Sequence, residues 1–385
     1  MAFDPVFLFE LSIILFAAKV LGEAAERLRL SHLVGEMAAG LVLGPILHFV
    51  RPGDFLGQMA NLGMLFIAFL IGTSIKLEQG RKDAAESAAA ALGASAISFI
   101  AGVAAGLYFF GSVEAGIFTG AVLMFSSTSL GIKSLVDAGD IRSKAHDMMV
   151  SISKFSDLAA VSVIALLSNY FILNGQIAAF AAFIVAAAVI ITGSRHIGKA
   201  VSAVGRLKDE HIMLSVPLAA IFIIAFFSDM YGIAAVSGAF LAGAAMSRSS
   251  VTESSVMPKM KILTYGFFAP LFFAYSVALA EFHAGLVLAA AAISLISILS
   301  AFAAYSVISM RLGFGRRDGM VIGASKIARG ELSVMALSIA LSAAIITNAV
   351  YSVAIASVIV TVIAGPLVVR LRKTKSSEMP KSFAF

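Results

Sequence analysis

Ser126-Ser127-Thr128-Ser129-Leu130-Gly131 interrupts an apolar run that extends over residues 114–136. Four hydroxyl side chains and a glycine in mid-run predict a helix that breaks. Open backbone in a hydrocarbon environment is tolerated only where it lines a cavity or packs against protein. A second interrupted run lies at 318–342, where Gly323, Ser325, Lys326, Arg329, Gly330 and Glu331 fall among apolar residues. The reading of these two breaks decides the architecture.

Around them the chain is apolar almost throughout. Of its 385 residues 60% are apolar and 13% charged, too greasy a balance for one soluble core with a wetted surface. Runs of about 20 apolar residues, the length a bilayer demands of a helix, recur from end to end. We read about 13 of them, near 5–22, 31–50, 59–76, 86–110, 114–136, 146–170, 175–194, 211–228, 231–247, 262–280, 284–310, 318–342 and 345–369. The expected fold is therefore an all-α integral membrane protein. The length of the runs excludes a β-barrel, whose strands would alternate over about 10 residues. The first run lacks a basic leader and a small-residue cleavage site, so it reads as a span and not a removed signal peptide.

Lysine and arginine set the expected orientation. The odd-numbered loops and the tail carry nearly all the loop cations, and the even-numbered loops carry only Arg51. The positive-inside rule then puts the N-terminus outside and the C-terminus in the cytoplasm of a plasma-membrane protein. The net charge of +6 is thus topological, and nucleic acid is not an expected partner. An odd span count suggests six spans, a linker span and six spans. The expectation is a transmembrane domain over 1–376, with inverted repeats at about 5–170 and 211–369, a linker helix near 175–194, and a short tail over 377–385. The breaks at 126–131 and 323–331 occupy matching places in the two repeats. Paired breaks of this kind point to the substrate site of a secondary transporter.

Charges inside the spans need a reason, because each costs at least about 2.5 kcal/mol at the bilayer centre. Asp157 stands out in Ser151-Ile-Ser153-Lys154-Phe-Ser156-Asp157-Leu-Ala-Ala-Val161. A carboxylate at that depth binds a small hard cation or a proton, and the two compete for the same oxygens. Competition at a site that faces one side at a time yields exchange. Ser153 lies one turn before Asp157 on the same helical face and is a candidate oxygen ligand, as are Ser156 and Thr128. Lys154, three residues before Asp157, is within reach to pair with it when no cation is bound. Lys326, Arg329, Glu331 and Glu36 are read as charge-coupling or structural groups.

These segments resemble the monovalent cation:proton antiporter-2 family, the Na⁺/H⁺ antiporters and Kef-type potassium transporters. Gly35-Glu36-Met-Ala-Ala-Gly40-Leu-Val-Leu-Gly44-Pro45 is similar to that family's second span. Leu62–Gly72, Ser126-Ser-Thr128, Ser237-Gly-Ala-Phe-Leu-Ala-Gly243, Ala269-Pro-Leu-Phe-Phe273 and Arg329-Gly-Glu331 are similar to further family segments in the same order. The resemblance implies a Na⁺/H⁺ antiporter-like fold with crossed discontinuous helices. It also implies a homodimer, a mobile ion-carrying core and a separate dimerisation domain, with the essential carboxylate at Asp157. The expected cargo is Na⁺ or another monovalent cation, held at Asp157, in exchange for H⁺, with no cofactor. Ser156-Asp157 stands where the family has Asn-Asp or Asp-Asp; one acid points to one-for-one exchange, unless Lys154 supplies the missing charge from the same span. The sequence shows no Kef-type nucleotide-binding domain after the last span, which favours sodium.

Two other readings fit the residues. One is a sodium-coupled symporter in which Lys326 and Arg329 bind an organic anion. The other is a non-transporting scaffold or sensor with Asp157 locked to Lys154. No arrangement of nucleophile and base suggests an enzyme, and Gly313-Phe-Gly315-Arg-Arg-Asp-Gly319 lacks the preceding strand of a nucleotide loop. The chain has no cysteine, so thiol chemistry is excluded.

Overall fold

The computed structural model describes residues 5–50, 53–74, 81–137, 144–172, 181, 212–231, 233–247 and 252–371. The linker span read at 175–194 and the tail at 377–385 lie outside these residues. The described chain is a multi-span, all-α membrane protein. Its helices are α1 (Pro5–Arg27), α2 (His32–Leu41), α3 (Asp54–Thr73), α4 (Arg81–Phe110), α5 (Val113–Met124), α6 (Thr128–Asp137), α7 (Lys144–Ile172) and α8 (Ile212–Met230). They continue with α9 (Ala235–Met246), α10 (Met257–Leu263), α11 (Ala269–Ala278), α12 (Val287–Arg311), α13 (Arg316–Ser325), α14 (Glu331–Ser342) and α15 (Asn348–Leu371). Among the described residues six helical segments are long and apolar enough to cross a membrane. The rest are shorter apolar helices, several of them joined by a wide turn or a break.

Local sequence explains many of the ends. Ser31 caps α2 by accepting a hydrogen bond from the Leu33 amide at 3.3 Å, and Ser112 caps α5 through the Ala115 amide at 3.1 Å. Such caps satisfy amides that the first turn leaves without a partner. Between α4 and α5 the chain reverses through Gly111, whose φ of +68° is open to glycine and costly for other residues. Pro45, which cannot donate an amide hydrogen bond, sits in a π-turn, Val42–Ile46, that extends α2.

The helices pack as two bodies. The core body gathers α4–α7 with α12–α15. The scaffold body gathers α1–α3 with α8–α11. Within the core, α4 to α7 and α12 to α15 follow the same order: a long helix, two half-helices around a break, and a long helix. The bodies touch mainly where α7 meets α9, α2 meets α15, and α14 meets α3 and α11.

Candidate functional site

The two interrupted segments meet. Ser126 and Arg329 form an isolated antiparallel bridge, and the Ser127 amide donates to the Ala328 carbonyl at 2.8 Å. Half-helix α5 lies against α14, and α6 against α13, so the segments cross. Gly330 permits the approach, since a Cβ there would press on the Ser127 side chain. Ser333 Oγ lies 3.1 Å from the carbonyls of both Val122 and Phe125 and satisfies the open end of α5. Backbone groups that the broken helices expose, the Ser127 amide and the Val122, Phe125 and Ala328 carbonyls, thereby find partners inside the protein.

Charge follows the helix ends. Half-helices α6 and α14 begin at the crossing, and α5 and α13 end there. Positive partial charge therefore collects at two ends and negative at the other two. Glu331 occupies the first turn of α14 and accepts from Ser127 Oγ (3.0 Å) and Ser129 Oγ (2.7 Å). Lys326 caps the C-terminal end of α13. Arg329, fully buried, donates from Nε to Ser297 Oγ at 2.9 Å and from Nη2 to the Ser297 carbonyl at 3.2 Å. Its amide donates to Thr361 Oγ1 at 3.3 Å. Arg329 thus fastens the break to α12 and α15.

Asp157 sits on α7 beside the start of α6, and only 7% of it is exposed. Thr128 Oγ1 lies 3.0 and 2.9 Å from its two carboxylate oxygens and donates to them. One turn earlier, Ser153 Oγ accepts from Lys326 Nζ at 2.6 Å. Lys326 is fully buried, and its ammonium stands 5.7 Å from the centroid of the Tyr305 ring, within cation–π range. Through Ser153 it is held one helical turn from Asp157. Ser153 is therefore the anchor for Lys326 and donates its own proton to the Met149 carbonyl at 2.8 Å. Ser156 turns the other way: its hydroxyl lies 3.4 Å from the Tyr305 hydroxyl, which is 3.0 Å from Ser95 Oγ.

A cavity of about 240 Å³ opens onto this crossing. Asp157, Thr128, Ser129, Lys154 and Glu331 line it from the core. Ile71, Ser74, Met257, Lys261 and Tyr265 line it from the scaffold and its π-turn Thr264–Phe268. The cavity is thus a cleft between the two bodies. Lys154 shares that cleft with Asp157. Glu36 stays on the scaffold side: it is buried on α2, 3.9 Å from Lys19, whose Nζ donates to the Tyr265 carbonyl at 2.5 Å. Among the described residues no cluster of three or more His, Cys, Asp or Glu side chains is placed to hold a metal ion.

The breaks, Asp157, Thr128, Lys154 and Glu331 are legible in the sequence and converge on one cleft. Tyr305, Ser297, Ser333 and Tyr265 are not. Tyr305 and Ser297 lie in the strongly apolar α12, where a polar residue is itself a signal; Ser333 follows Glu331 by two residues and carries none.

The sodium/hydrogen exchanger transmembrane family matches residues 12–371. The chain belongs to that family. The Na(+)/H(+)-K(+) antiporter GerN of Bacillus cereus is 24% identical over 367 residues, 94% of each chain. The probable Na(+)/H(+) antiporter GerT of the same organism is 25% identical over 338 residues, 86% of this chain and 89% of GerT. In fold, this exchanger resembles the sodium proton antiporter MjNhaP1 from Methanocaldococcus jannaschii. The TM-score is 0.76 at 13% identity, with 96% of this chain and 99% of that one covered. Membership makes it a secondary transporter that exchanges a monovalent cation for protons, and not an enzyme.

The narrower assignment to the antiporter-2 family, with its Kef-type members, is corrected. The match is to the sodium/hydrogen exchanger family, and the fold resembles that of MjNhaP1. The physical reason lies in what the quoted segments do. Gly40 packs on the Ala274 backbone, Gly72 on the Phe240 carbonyl and Gly243 on the Phe69 carbonyl. These glycines let α2, α3, α9 and α11 approach closely, which the whole scaffold requires, so they mark the fold and not one branch of it.

Proposed function

We propose that this exchanger moves Na⁺ against H⁺ across the plasma membrane by alternating access, with Asp157 carrying the cation and the proton by turns. The observation that supports it best is the Asp157 carboxylate, buried beside the crossed helices, bonded by Thr128 and lining a cleft between two bodies. A desodiated Asp157 must either take a proton or be balanced by a nearby cation. Lys326, anchored on Ser153 one turn away, supplies that balance. Cation entry weakens the pull on Lys326, and proton entry releases the cation. Thr128 contributes its hydroxyl oxygen to the cation, and Lys154 tunes the field of the cleft that the ion crosses.

The matching order of α4–α7 and α12–α15 supports two inverted repeats in a chain of 13 spans, with the N-terminus outside and the C-terminus in the cytoplasm. In that orientation the cleft opens inward, on the side of Lys154 and Lys261. The core slides against the scaffold to expose Asp157 outward. The scaffold is the surface through which a homodimer forms.

Purified protein in liposomes with an imposed pH gradient tests this reading, with a pH-sensitive dye followed on adding Na⁺, Li⁺ or K⁺. Sodium-dependent collapse of the gradient, lost in Asp157→Asn, is expected. An unchanged signal in that variant would overturn the role of Asp157. No response to any cation from folded protein would overturn exchange itself.

A further inference from the structure

The two bodies are tied together at one end of the molecule by a cluster that stands apart from the Asp157 site. Lys133, on the core half-helix α6, donates from Nζ to Glu26 Oε1 at the end of scaffold helix α1. Glu26 Oε2 lies 3.1 Å from His32 Nε2 at the start of α2. Close by, Arg370 at the end of core helix α15 donates from Nη2 to the Arg29 carbonyl. Arg29 holds a φ of 60°, in the left-handed region that an arginine seldom adopts. The turn between α1 and α2 is therefore shaped to offer that carbonyl. Glu23 is occupied by Arg27 at 3.0 Å, and Asp137 lines the same shallow crevice as Arg29 and Lys133.

The position of this cluster gives it meaning. Thr128, which grips Asp157, begins α6, and Lys133 lies five residues further along the same short helix. Ile132, its neighbour, lines the cleft. Any sliding of core against scaffold carries Lys133 away from Glu26 and Arg370 away from Arg29, because each pair spans the two bodies. Both contacts are made in the arrangement seen here, with the cleft formed.

We propose that Glu26–Lys133 and Arg370–Arg29 form a latch that favours the cleft-open arrangement and sets its balance against the opposite one. The latch rests on the alternating-access reading, but its charges take no part in binding the ion. Partly exposed pairs of this kind change an equilibrium by about two- to fivefold, enough to bias a cycle without locking it.

The natural absence of cysteine allows a direct test. Val150 lines the cleft on α7, two turns before Asp157. Val150→Cys in reconstituted protein is labelled with a membrane-impermeant thiol reagent presented on the cleft side. Lys133→Ala and Glu26→Gln are expected to slow labelling about two- to fivefold, and the Glu26→Lys/Lys133→Glu exchange to restore it. Arg370→Ala is expected to slow it likewise. Equal labelling in all variants, with each protein shown to be folded by its melting curve, would overturn the latch. Labelling reports accessibility and not transport, so the result stands whatever Asp157→Asn does to exchange.

Discussion

Thr128 Oγ1 sits between the two carboxylate oxygens of Asp157, 3.0 Å from one and 2.9 Å from the other. This hydroxyl joins the broken segment that starts α6 to the unbroken helix α7, so the ion site is built across two elements that the sequence keeps 29 residues apart. Removing the hydroxyl as Thr128→Val keeps the shape and leaves the carboxylate one partner short. A hydrogen bond to a charged group contributes about 1.5–3 kcal/mol. The expected outcome is a rise of roughly tenfold or more in the KM for sodium, with Thr128→Ser close to the parent. Dye-based exchange in liposomes at several sodium concentrations measures it, and an unchanged KM in Thr128→Val would exclude Thr128 as a ligand.

Lys326 has no exposed surface, and its ammonium donates to Ser153. Its ammonium is tolerated there because Asp157 is near and the Tyr305 ring lies beneath it. A buried charge stripped of its counter-charge destabilises strongly, whereas a pair replaced together by neutral groups is often well tolerated. Asp157→Asn alone is expected to lower stability by about 3 kcal/mol. The double variant Asp157→Asn/Lys326→Met is expected to recover most of it. Melting curves of the four proteins of this cycle in detergent provide the measurement. Additive losses would show that Lys326 and Asp157 do not balance each other.

The sequence carries the breaks and the lone aspartate because each violates a simple rule: hydroxyls inside an apolar run, and a carboxylate at bilayer depth. What it does not carry is partnership. Helical spacing puts Ser153 and Asp157 on one face of α7, but it does not reveal that Ser153 Oγ also accepts from a lysine 173 residues away. Ser156, one residue before Asp157, faces Tyr305 because α4 packs on α7 and α12 packs on α4. Lys154 is near Asp157 in sequence and shares its cleft, whereas Lys326 comes near only because the breaks cross. The branch of the family is not legible for a related reason: glycines that allow close helix packing are needed by the shared fold.

Ser333 tests the break itself. Its hydroxyl lies 3.1 Å from two carbonyls at the open end of α5, which the break leaves without a following helical turn. Ser333→Ala leaves those carbonyls unsatisfied, at a cost of about 1–3 kcal/mol. A lower melting temperature is expected, together with slower exchange because α5 and α14 no longer hold Thr128 in register. A variant as stable and as active as the parent would show that the carbonyls find other donors.

The latch residue Glu26 gives a dependence on pH whose sign is fixed. Its hydrogen bond to Lys133, and the His32 beside it, hold its carboxyl below the ordinary value of 4.5. A carboxylate depressed in the folded state contributes stability that is fully present above the unfolded value and is lost as pH falls through the folded one. The parent is therefore expected to exceed Glu26→Gln in melting temperature at pH 6. The difference should persist to about pH 4.5 and vanish below it. The effect is small because both side chains are more than a third exposed. Melting curves of the two proteins between pH 3 and 7 decide it: a gap that widens as the solution is acidified would mean that Glu26 draws no stability from its charge.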